Sequence, residues 1–139
     1  MKTITYISIL FMFLLNACDK KEISQSPEEQ LIGKWKLIKF CEGGTPGVFF
    51  TCNDIINGYI LSLDEQNNFL FIGNNNPDCS TGSFEVNNNK LILYYNNTEC
   101  INAPKEFIYN FSLSINQLEL GDIQCIEGCW YTYKKINEK

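Results

Sequence analysis

The chain contains no histidine, and all eleven of its basic residues are lysine, so it has no arginine either. Without histidine there is no ordinary neutral-pH general base, no Ser-His or Cys-His nucleophile pair, and no imidazole for zinc. The chain is therefore read as a non-enzyme with no cofactor and no metal. No apolar run reaches the roughly twenty residues needed to cross a membrane as a helix. A net charge of −5 at pH 7 repels phosphate backbones, which argues against a nucleic-acid partner. What is present is a high aromatic content of 14% and seven cysteines, in 139 residues with room for one domain.

The amino terminus has the form of an export signal. Lys2 precedes an apolar run from Ile4 to Leu15, interrupted only by Thr5 and Ser8, which is too short for a span and right for a signal core. Leu15-Asn16-Ala17-Cys18 follows, and it resembles the bacterial lipobox: aliphatic, then a small residue directly before an obligatory cysteine. The expected layout is a lipoprotein signal peptide over 1–17, a flexible tether over 18–26 beginning with acylated Cys18, and one domain over 27–139. The lipid would carry a palmitate-type acyl group and hold the protein on a membrane of the cell envelope. Asp19 to Ser26 is polar and without periodicity, as a tether requires.

Beyond the tether, Ser26-Pro27-Glu28-Glu29 predicts a short capped helical turn stopped at Gly33. From there the periodicity is two. Strands are expected near 34–40, 58–63, 69–73, 81–86, 90–95, 106–114, 117–120 and 129–136. The sixth alternates most cleanly, with Phe107, Tyr109, Phe111 and Leu113 on one face. Asp64 to Asn68, Asn87-Asn88-Asn89 and Ser114-Ile115-Asn116 are polar hairpin links, and asparagine tolerates the left-handed backbone that such turns need. Eight sequential antiparallel strands avoid exposed edges by closing, so the expected fold is all-β, an eight-stranded antiparallel up-and-down barrel; a two-sheet sandwich is the alternative.

Apart from Cys18, the cysteines are Cys41, Cys52, Cys79, Cys100, Cys125 and Cys129. An even set in an exported chain reads as disulfides rather than as a metal clip. In an up-and-down barrel alternate connections share one end, and this strand reading puts all six cysteines on the same rim. Proximity favours Cys41 with Cys52, Cys79 with Cys100, and Cys125 with Cys129. A rival pairing joins Cys41 to Cys129, since barrel closure sets the end of the first strand beside the start of the last.

Gly33-Lys34-Trp35, opening the first strand after a helical turn, is similar to the lipocalins. The layout of residues 28–137, with the Cys125-Ile126-Glu127-Gly128-Cys129 stretch, resembles the small lipocalin-like lipoproteins of the Bacteroidetes. That resemblance implies that Trp35 closes one barrel end under a cation from the last strand. With no arginine available, Lys134 is the expected partner. It also implies an outer-membrane address facing the periplasm or the exterior, and a small hydrophobic ligand entering through the cysteine-bearing rim.

No catalytic constellation emerges. Asp64-Glu65 are adjacent strand-end residues that point apart and read as a solvated turn. Asn74-Asn75-Asn76-Pro77-Asp78 lacks the spacing of a calcium loop. The remaining signal is the aromatic set within the strands, of which half should face inward. Phe107, Tyr109 and Phe111 are the candidate ligand-binding residues, and core packing alone is the competing explanation. A second functional class is a protein-binding envelope lipoprotein, an inhibitor or accessory subunit of unspecified partner, using the long rim loops 41–57 and 73–80.

Overall fold

A computed structural model describes residues 26–43, 51–73, 79–97 and 105–137. The signal segment, Cys18, most of the tether, Asn74 to Asp78 and Cys100 lie outside them. The order is helix α1 (Pro27–Leu31), then β1 (Gly33–Glu42), β2 (Thr51–Asp54), β3 (Ile60–Leu63), β4 (Asn68–Ile72), β5 (Thr81–Asn87), β6 (Lys90–Tyr95), β7 (Glu106–Ser114), β8 (Gln117–Asp122) and β9 (Cys129–Ile136). All pairings are antiparallel, and β1 meets β9 along its length, so the sheet closes into the expected barrel.

One strand was not legible in the sequence. β2 pairs with β1 over Lys39 to Glu42, and β3 pairs with the same edge of β1 over Gly33 to Lys36, so the two form one interrupted stave of an eight-stave barrel. Backbone bonds from Leu37 N–H to the Tyr59 carbonyl, 3.0 Å, and from Ile55 N–H to the Ile38 carbonyl, 2.8 Å, carry the pairing across the break. Gly58 sits in that break against the Leu37 carbonyl, where a Cβ would collide with backbone. β2 is exposed at all four positions, so it has no alternating apolar signal to read.

The hairpins at one end are tight. Asn88 and Asn89 both have positive φ, 47° and 61°, between paired Asn87 and Lys90, as a two-residue primed turn requires. Asp64 accepts backbone N–H bonds from Gln66 and Asn68 at 3.0 and 2.8 Å, making the solvated turn expected of it. These bonds hold its carboxyl below the usual range, the Asn68 N–H first. α1 covers the same end. Its capping box has the Ser26 side chain accepting from Glu29 N–H while Glu29 accepts from Ser26 N–H.

The core lies inside the barrel. Leu31, Trp35, Leu61, Leu63, Leu91, Leu93, Leu118 and Leu120 are sealed there, together with Phe69, Phe84 and Tyr133. Trp35 donates its indole N–H to the Leu31 carbonyl at 2.7 Å, tying the helix to the barrel floor. The expected cation is corrected. Lys135, not Lys134, lies 4.9 Å from the Trp35 ring. The reason is register: Trp35 is directly opposite Lys135, so the two side chains share the inner face and Lys134 points out. Lys135 also donates to the Gln30 carbonyl at 3.2 Å. Gly33, at φ 132°, passes so close to Lys135 that a Cβ would lie 3.2 Å from its Cε.

Candidate functional site

At the opposite end the links 43–50, 73–80, 96–105 and 123–128 are longer, and here the described cysteines gather. Cys41 and Cys52 are register partners joined by a disulfide, and Cys125 is bonded to Cys129 across the β8–β9 link. The rival Cys41–Cys129 bridge is thereby overturned. Cys129 faces Glu42 rather than Cys41 in the β1–β9 register, while Cys41 stands directly opposite Cys52. Cys79 is also disulfide-bonded. The rim assignment holds for these five.

Inside this rim the wall is aromatic. Going around it, Phe40 meets Tyr131 at 5.0 Å between ring centroids, Tyr131 meets Tyr109 at 6.2 Å, and Tyr109 stacks on Phe107 at 6.4 Å. Phe107 then meets Tyr95 at 5.4 Å, Tyr95 meets Phe69 at 5.0 Å, and Phe69 meets Phe71 at 5.5 Å. Phe71 meets Tyr59 at 5.1 Å, and Tyr59 returns to β9 at Tyr133, 6.2 Å away. The rings form a belt that follows the wall from β1 around to β9. Most contacts are edge-on, the arrangement aromatic quadrupoles prefer.

Within this belt the tyrosine hydroxyls are unevenly partnered. Tyr59 and Tyr133 share a hydrogen bond at 3.1 Å. The hydroxyls of Tyr95, Tyr109 and Tyr131 make no hydrogen bond to another described residue, and no buried side-chain polar atom is both sealed and unpartnered. Burial, followed by the Tyr59 phenol and the Asp122 carboxylate, pushes Tyr131 up to about 12. Burial does the same more strongly to Tyr109, with Tyr95, Tyr131 and Asp122 adding to it. Asp122 is a carboxylate at this end of the inner face, directly opposite Tyr109 and Cys129, and its Oδ1 accepts the Gln124 N–H at 2.8 Å.

Of the sequence candidates, Phe107 and Tyr109 fall in the belt. Phe111 packs against the core one alternation nearer the floor, opposite Leu120. Sequence reasoning counted Tyr95 among the strand aromatics without singling it out, and passed over Tyr59, Asp122 and Phe40 as wall residues. Tyr59 precedes β3 in the irregular break, and Phe40 follows a bulge between Leu37 and Lys39 that shifts the alternation of β1. Trp130 faces outward instead, 41% exposed, with its ring lying over the backbone of Gly121. Two open clefts lie outside the barrel. One, of about 750 Å³, runs between α1 and the β3–β4 turn beside Glu28, Ile32, Glu65 and Lys135. The other, about 360 Å³, lies on the outer wall where Ile38 and Trp130 flank the Cys41–Cys52 bridge.

A closed antiparallel barrel with a helix-covered floor, a floor tryptophan on a Gly-x-Trp, and an aromatic-lined mouth agrees with the comparison of families. No curated protein matches the chain. The family described as the lipocalin-like domain matches residues 31–120, well over half of the sequence, and the chain belongs to that family.

Proposed function

We propose that this protein is a lipid-anchored lipoprotein of the cell envelope, of the Bacteroidetes type and seated in the outer membrane, whose barrel carries a small hydrophobic molecule in its rim half. The family is in general a non-enzymatic binding fold. One observation carries the ligand reading. Most inward side chains of the floor half are sealed, Val86 and Leu113 being partly buried, whereas Phe40, Tyr59, Tyr95, Phe107 and Tyr131, also facing inward, keep partly accessible surface around the buried Tyr109 and Phe71. Apolar rings left reachable inside a closed wall are what a small ligand would cover.

The anchor reading supports an orientation. Ser26 caps α1 at the floor, and eight residues of extended chain reach at most about 28 Å, so lipid on Cys18 would keep the floor towards the bilayer and the mouth away from it. Native mass spectrometry of the purified protein should show a co-purifying small molecule that organic extraction removes. A single apo mass, with no saturable binding of any apolar probe, would end the carrier reading. Cys18→Ser should abolish metabolic labelling by palmitate and release the protein from membranes, and unchanged labelling would end the anchor reading.

A further inference from the structure

Resting on the reading of the rim half as a ligand chamber, we infer that it selects a ligand with an organic cation on an apolar body, an amine or quaternary ammonium, and discriminates against carboxylates. The inner face supplies aromatic rings and, at the mouth, the carboxylates of Asp122 and, at the very end of β1, Glu42. Asp122 shares its face with Tyr109, and its carboxylate acts on both the Tyr109 and Tyr131 phenols. Tyr109 itself is only 9% exposed, and its hydroxyl has no described partner.

Among the described residues the mouth half of the inner wall supplies no cation. Among the described residues, the lysine facing inward is Lys135, and it is engaged at the floor by Trp35 and the Gln30 carbonyl. Lys34 and Lys36 alternate to the outer face of β1, and Lys39 pairs outside with Asp54 at 3.9 Å. Lys105 precedes β7 and is exposed. Glu42, Glu106 and Glu127 add negative charge at the ends of β1 and β7 and in the β8–β9 link.

A carboxylate entering this chamber would lose its water, meet no positive charge and approach Asp122. A quaternary or primary ammonium would lie against ring faces, whose quadrupoles attract cations, and within reach of the Asp122 field. The buried phenols stay neutral far above physiological pH, so they do not compete as anions and remain able to donate to a ligand's polar group.

The test uses three aryl probes of similar size that differ in charge, benzyltrimethylammonium, 2-phenylethanol and phenylacetate. They are titrated into the full chain in a non-ionic detergent at low ionic strength, and binding is read by calorimetry and ligand-observed NMR. The cation should bind about tenfold or more tighter than phenylacetate, with the alcohol between them. Asp122→Asn keeps an acceptor for the Gln124 N–H and should leave the melting temperature unchanged. It should also erase most of the cation's advantage, while Glu106→Gln, an exposed rim control, should remove little. Binding of the alcohol with no preference for the cation, or a preference that survives Asp122→Asn, overturns the charge selection alone. Failure of all three probes overturns the chamber as well.

Discussion

The two poles of the barrel are made by the same strands, yet at the floor Trp35, Leu63, Leu91 and Leu118 are sealed, and at the mouth Phe40, Tyr95, Phe107 and Tyr131 remain partly open. The difference lies in what joins the strands. At the floor the links are Asp64–Asn67, Asn88–Asn89 and Ile115–Asn116, and α1 covers them. Short links and a helix bring enough side chains together to exclude water. At the mouth the links are long and disulfides fasten the strand ends beneath them. Packing is tighter at one pole, and on the carrier reading the other is where a ligand would sit.

The largest effect that would sharpen this contrast comes from the floor. Trp35→Ala removes a sealed indole and its bond to Leu31, and should cost about 3 to 5 kcal/mol in urea unfolding. Phe107→Leu, a half-buried belt position, should cost less than about 1.5 kcal/mol. Equal losses would mean that the mouth is packed as tightly as the floor.

Next in size is the staple at the mouth. Cys41→Ala with Cys52→Ala opens a bridge of sequence separation 11, which should lower stability by about 2 to 3 kcal/mol through unfolded-state entropy. Each side chain lies on the outer wall near Trp130, so the belt should be undisturbed and probe binding retained. Loss of binding in a folded double variant would show that the bridge shapes the chamber and does not merely fasten it.

The belt also predicts an alkaline weakness. Tyr131 titrates near 12 in the folded protein against 10.0 for a free phenol, and Tyr109 higher still. Between these values the unfolded chain has released protons that the folded chain keeps, so stability is complete below pH 10 and falls as pH rises towards 12. Thermal melts from pH 8 to 12 should stay flat to about 10 and then decline. Tyr131→Phe should flatten the first part of that decline, and an unchanged profile would mean that Tyr131 is not held neutral by burial.

Much of this was legible in the sequence because the signals were periodic. The alternation of Phe107, Tyr109, Phe111 and Leu113 gave β7 its limits and its inner face, and the Asn88-Asn89 and Asp64 links appeared where hairpins needed them. The positions of the cysteines marked the mouth without any pairing being known. What escaped were departures from period two. β2 is exposed throughout, the bulge after Leu37 reverses which residues of β1 face in, and Gly58 allows a close approach that only the folded backbone reveals. The belt is therefore half visible in sequence: β7 and β9 show theirs, while Phe40 and Tyr59 depend on irregularities.

The smallest effect tests register at the floor, where the resemblance pointed to Lys134 and the barrel uses Lys135. A slip of one residue would exchange the faces of these lysines, so their variants report the β1–β9 register directly. Lys135→Met keeps the alkyl stem over Trp35 but removes the ammonium 4.9 Å from the ring and its bond to Gln30. It should lower stability by about 0.5 to 1 kcal/mol, the usual size of a partly exposed cation–π contact. Lys134→Met, on the outer face opposite Gln117, should change stability by less than about 0.5 kcal/mol. The two losses are best compared as shifts in urea midpoint at constant slope. A larger loss at Lys134 would place that side chain over the tryptophan and move every inward residue of β9, Tyr131 and Tyr133 included, to the other face.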